Sequence, residues 1–95
     1  MKKIYRYEVP VDDQWHDLEL FGIILHVASR SADTVEVWAV REEGGLHTFS
    51  TVRVFGTGHP YPDDGEWLGT ALAPHGLVWH LIEIPRSSPD HPDGR

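Results

Sequence analysis

Polar and apolar residues alternate along most of this chain, and no stretch keeps an apolar stripe at helical spacing. Residues 3–9 (KIYRYEV) set Tyr5, Tyr7 and Val9 on one side and Arg6 and Glu8 on the other. Residues 15–20 (WHDLEL) oppose His16, Leu18 and Leu20 to Trp15, Asp17 and Glu19. Residues 23–28 (IILHVA) are apolar almost throughout, the pattern of a strand covered on both faces, so a buried central strand is expected there. Residues 34–40 (TVEVWAV) alternate again, with Val35, Val37 and Ala39 opposite Glu36, Trp38 and Val40. In residues 46–55 the apolar phase slips near Ser50 and Thr51, as a β-bulge or a bend would produce. Residues 66–73 and 77–84 complete the set.

Turn chemistry falls at the junctions: Pro10 to Asp13, Gly22, a Gly44-Gly45 hairpin loop, and Ala73-Pro74-His75-Gly76. Short strands at this spacing predict an all-β domain over residues 1–84, a small antiparallel barrel or sandwich of about six to seven strands. Residues 85–95 carry three prolines and no large apolar side chain. They are expected to form a disordered tail that stability does not need.

Composition narrows the partners. The 95 residues make one domain, and their 40% apolar content supports a packed core. Fifteen acidic against eight basic residues give a net charge of −7, which disfavours nucleic acid as a partner. With no cysteine, disulfides and thiolate chemistry are excluded. No apolar run reaches the roughly 18 residues of a membrane-spanning helix, so no membrane partner is expected.

Seven histidines (His16, His26, His47, His59, His75, His80 and His91) raise the question of a metal, but no pair stands at a metal-ligand spacing. No metal or other cofactor is expected. His26 and His80 lie within apolar strands, where an imidazole is usually hydrogen-bonded packing. Ser50 lacks the context of an activated nucleophile, and no catalytic constellation emerges, so no enzymatic activity is expected.

The candidate site is the corner at residues 53–70, RVFGTGHPYPDDGEWLGT. Gly56, Thr57 and Gly58 let the backbone approach a ligand, and their N–H groups with His59 could bind an anion. Pro60 and Pro62 follow at once, so neither a phosphate loop nor a dinucleotide fingerprint can form. Both glycines are expected to take dihedrals that a side chain resists. Tyr61 and Trp67 are aromatic anchors of the kind found at protein interfaces. The candidate binding residues are therefore Gly56, Thr57, Gly58, His59, Tyr61 and Trp67, set against a purely architectural reading of the corner.

Five segments carry a family resemblance: residues 3–9, Val37-Trp38-Ala39-Val40, the corner FGTGHP at residues 55–60, Trp67-Leu68-Gly69-Thr70, and LVWHLIE at residues 77–83. In their order, and in the GTGHP motif, the chain resembles a family of short phage- and prophage-encoded proteins of unassigned function. The resemblance spans residues 2–84. Trp67-Leu68 stands where the family pattern has Tyr-Ile. The resemblance implies a viral origin and action in the host cytoplasm. The resulting expectation is an accessory binding module engaging a host protein. The alternatives are a small anionic, nucleotide-like ligand held by residues 56–60, or a minor virion component. An exposed sheet edge also leaves room for a homodimer.

Overall fold

A computed structural model describes residues 1–19, 23–42 and 49–93. It holds seven strands: β1 (Lys2–Pro10), β2 (His16–Leu18), β3 (Ile24–Ala28), β4 (Thr34–Glu42), β5 (Ser50–Gly56), β6 (Glu66–Leu72) and β7 (Val78–Ile84). Among the described residues the only helical element is a 3-10 turn at Pro74–Gly76. The expected Gly44-Gly45 hairpin loop, Gly22, Leu20, His47 and the first residues of the fifth expected strand lie outside the described residues.

All pairings are antiparallel and form two sheets, ordered β1-β4-β3 and β2-β5-β7-β6. The sheets do not close into a barrel. They pack face to face as an open sandwich around Val9, Val27, Val35, Val37, Val52, Val54, Ala71 and Leu81. Alternation explains which side of each strand enters this core. Val35, Val37 and Ala39 point inward from β4, while Glu36 points outward. Each buried aliphatic side chain contributes about 1.5–3 kcal/mol. At the seam between the sheets, β6 comes so close to β3 that a Cβ on Gly69 would stand 2.5 Å from Val27 Cγ2.

The apolar run of β3 belongs to an edge strand, not a central one. Val27 is buried, but Ile23 and Leu25 are exposed. The central strands are instead β4, β5 and β7. Nor does a bulge interrupt β5, whose register runs unbroken through its pairs with β2 and β7. Its phase slip has another cause. Thr51, Val52, Val54 and Phe55 are all buried, so β5 is covered on both faces. The bulges lie at Leu25 in β3 and Leu68 in β6, both on edge strands, where they discourage further pairing.

The second covering layer is made by loop and tail. On the outward face of the four-stranded sheet, Thr51 pairs with Ile84, Arg53 with Ile82, and Phe55 with His80. Tyr61 from the corner lies over Phe55, with ring centroids 6.1 Å apart, and Trp15 lies 5.8 Å from the same ring. Gly65 rests on Ile82, and a Cβ there would meet Ile82 Cγ2 at 2.8 Å and Pro62 O at 2.9 Å.

The tail, expected to be disordered, does lack regular structure over residues 85–93, yet it is docked. His91 is 3% exposed and reaches Thr51 Oγ1 at 2.8 Å; Thr51 in turn donates to Asp17 Oδ1 at 2.7 Å. The Asp93 N–H donates to His91 Nδ1, so the proton of the neutral ring sits on Nε2 and points at Thr51. Ser88, also buried, donates to Asp64 Oδ1 at 3.1 Å. Composition concealed this docking because two polar side chains, not large apolar ones, make it.

Candidate functional site

The corner leaves β5 at Gly56 and turns with the His59 N–H donating to Gly56 O at 3.2 Å. Gly58 sits at φ +86°, a left-handed conformation that glycine adopts without strain. Gly56 differs from expectation, because its φ is not positive. Its constraint is space: a Cβ would stand 3.1 Å from His59 Nδ1 and 3.2 Å from His59 Cε1. The His59 ring is therefore seated on the bare backbone of Gly56.

From this corner the chain crosses the outward face of the sheet and re-enters as β6. The crossing leaves a cleft of about 270 Å³ lined by Phe55, Gly56, Thr57, Gly58, His59, Tyr61, Trp67, His80 and Ile82. All six residues singled out from the sequence meet in this one cleft. Tyr61 is 48% exposed and Trp67 58% exposed, so both present open aromatic surface at its edge.

The cleft rests on a polar relay that the sequence did not reveal. The Trp67 indole N–H donates to Thr70 Oγ1 at 3.0 Å. Thr70 Oγ1 lies 3.0 Å from His80 Nδ1, and His80 Nε2 lies 2.8 Å from Thr57 Oγ1. An indole can only donate, so Thr70 Oγ1 accepts from Trp67. With His80 protonated on Nε2, Thr70 donates to Nδ1 and the Nε2–H donates to Thr57. In the opposite direction Thr70 would accept twice and its own proton would have no acceptor within the relay. His80 is thus hydrogen-bonded packing in the expected sense, but it also fixes Trp67 and Thr57 relative to each other. No cross-strand pair joins it to His26, which lies in the other sheet beside Trp38, with ring centroids 5.7 Å apart. Among the described residues no three His, Asp or Glu side chains are placed to hold a metal.

Electrostatics separate this cleft from the rest of the chain. Among the described residues no carboxylate lines it, although the protein carries a net charge of −7. A tight ion cluster lies on the other sheet. Glu36 takes Arg30 at 2.6 and 2.7 Å and Arg6 at 2.8 Å, and its carboxyl is held below the usual range by the Arg30 hydrogen bonds, against an opposing effect of burial, with Arg6 adding to the depression. That cluster ties β4 to β1 and to the turn after β3, and it has no part in the cleft.

The molecule is thus an open β-sandwich whose second sheet carries, on its outward face, a loop-covered aromatic layer and a hydrogen-bonded cleft. The chain belongs to a family of domains of unknown function (DUF7352), whose profile matches residues 1–92. The match runs through Ser88 and His91, the docked residues of the tail. No curated protein and no solved structure matches the chain.

Proposed function

We propose that this protein is a phage-encoded accessory protein of the host cytoplasm, a non-enzymatic binding module that engages a host protein through the rim of the corner cleft. The observation that carries this reading is Trp67. Its ring is more than half exposed, yet its N–H is tied through Thr70 and His80 to Thr57 in the corner. An exposed aromatic side chain held in one orientation loses little freedom on binding, and such anchors dominate interface energetics. Tyr61, braced on Phe55, supplies a second anchor across the cleft. The phage origin rests on the resemblance in the ordered motifs around GTGHP.

The relay does not call for catalysis. Thr57 and His80 stand at the distance of a nucleophile and its base. The group behind the imidazole, however, is the neutral Thr70 hydroxyl, which cannot stabilise an imidazolium as a carboxylate does. A second reading, a small anionic ligand at residues 56–60, draws on the absence of carboxylates among the described residues that line the cleft. At about 270 Å³ the cleft falls just below the usual 300–1,000 Å³ of small-molecule sites, which favours the protein partner.

The test is affinity capture from host lysate with the wild-type chain beside Trp67→Ala and Tyr61→Ala. Partner recovery should fall with either variant while both remain folded; the thermal midpoint should stay within about 2 °C for Trp67→Ala and fall further for Tyr61→Ala, which also uncovers Phe55. Equal recovery by folded variants would refute the reading.

A further inference from the structure

On the other flank of Tyr61 lies a second hollow of about 240 Å³, lined by Trp15, Arg53, Phe55, Pro60, Tyr61, Pro62 and Asp90. Arg53 enters it from the outward face of β5, its side chain 28% exposed. The guanidinium carbon lies 4.6 Å from the Phe55 ring centroid and 5.8 Å from that of Trp15. Two aromatic rings therefore hold the group by cation–π contact. No protein acceptor meets its hydrogen-bonding edges. The nearest carboxylate, Asp13, stands 3.8 Å from Nη2, beyond hydrogen-bond reach, and is itself 84% exposed. The Nε–H, closed off from solvent, has no acceptor at all.

A guanidinium carries five donors in a planar fork, and here the buried Nε–H has no acceptor while no protein group takes the terminal nitrogens within hydrogen-bond distance. The pairs on the other sheet show the contrast, since Arg6 and Arg30 both close on Glu36 at 2.6–2.8 Å. Arg53 is held in place by stacking and left short of an acceptor.

We infer that this hollow is a carboxylate-binding site with Arg53 as its anchor, taking an Asp or Glu side chain or a terminal carboxylate. A planar carboxylate matches the fork in shape and in charge. The surroundings select it over phosphate. Asp90 lines the hollow, Asp13 stands beside it, and the chain carries −7. A phosphate near neutral pH carries about −1.5 to −2, which raises its repulsion by these acids and its attraction to Arg53 together. The preference for carboxylate therefore rests on the planar match to the fork and on the apolar walls. The walls of Trp15, Pro60, Tyr61 and Pro62 then receive the carbon atoms attached to the carboxylate. This assignment needs neither Trp67 nor His80, so it stands apart from the cleft reading and can fail without it.

The experiment is titration of the full chain with sodium acetate and, separately, with inorganic phosphate, ionic strength being held constant with chloride. Side-chain 15N resonances report the Arg53 Nε–H and the Trp15 indole. Acetate should move both saturably and bind more tightly than phosphate. Arg53→Lys keeps the charge but loses the fork, and it should weaken acetate about tenfold. Asp90→Asn, a change on an exposed side chain, should tighten acetate about two- to threefold by removing one nearby negative charge. Absence of a saturable acetate shift, equal affinity in Arg53→Lys, or an Asp90→Asn variant indistinguishable from wild type would overturn the site. Tighter binding of phosphate than of acetate would overturn its assignment to carboxylates.

Discussion

His91→Ala tests whether residues 85–93 belong to the fold. The ring is buried and donates from Nε2 to Thr51 Oγ1, which itself donates to Asp17. Losing that hydrogen bond costs about 1 kcal/mol, and Thr51 keeps Asp17 as its own acceptor, so no buried proton is stranded. Removing a buried ring adds about 1–2 kcal/mol of lost transfer energy and cavity. The sum is about 2–3 kcal/mol, which in a domain of this size lowers the thermal midpoint by about 10–20 °C.

The same loss has a ceiling. A tail with a defective contact can release instead of carrying the defect, so His91→Ala cannot cost more than cutting the chain after Ile84. Truncation should therefore destabilise by at least as much, because it also uncovers Thr51, Ile84 and the Asp64 partner of Ser88. Thermal and urea melts of the wild type, His91→Ala and the truncated chain measure all three. If the truncated chain melts within about 2 °C of the full one, the tail contributes nothing and the docking argument fails. A His91→Ala loss clearly larger than that of truncation would show that His91 acts through something other than the tail.

Other perturbations separate the remaining contacts. Gly58→Ala should cost about 1 kcal/mol through its positive φ, whereas Gly56→Ala should act by unseating the His59 ring, visible as a changed His59 resonance in NMR spectra. Gly69→Ala drives a methyl against Val27 and should cost about 1–3 kcal/mol, and a paired Val27→Ala should recover at least about 0.5 kcal/mol of the summed losses; strict additivity would deny the close approach. Glu36 has a depressed folded pKa, so its share of stability is present above the unfolded carboxylate value, near pH 4.3, and is lost as pH falls through the lower folded value. Stability measured from pH 7 down to pH 3 should therefore decline less steeply in Glu36→Gln than in the wild type.

Strand positions were legible because period-two alternation is a local property. Residues 3–9 and 34–40 announced β1 and β4 within two residues of their observed ends. What each strand packs against was less legible, because that depends on segments distant in sequence. The apolar run at residues 23–28 reads as a doubly covered strand, yet β3 lies at an edge with Leu25 in the open. The broken alternation of β5 reads as a bulge or a bend, yet it records a second cover supplied by Tyr61 and His91. Both misreadings share one physical origin. Burial of a strand's outer face is decided by whatever loop returns across it, and loop paths leave no periodic trace.

The corner shows how far that limit extends to function. Its glycines, prolines and aromatics could be picked out from composition, and all six candidates do line one cleft. The groups that give the cleft its chemistry could not, because Thr57, Thr70 and His80 become neighbours only through pairing. Register sets Thr70 opposite His80 and Phe55 opposite His80 on the other side, and the bulge at Leu68 moves Trp67 onto the outward face within reach of Thr70. Shift β6 by one residue and Thr70 would point into the core while Gly69 faced the cleft, removing both the acceptor for Trp67 and the partner of His80. Gly69 is also the position where the second sheet closes on Val27. The contact that fixes the register of β6 in the core is therefore the one that orients Trp67 at the surface, and a change at the seam should be felt at the cleft before the fold is lost.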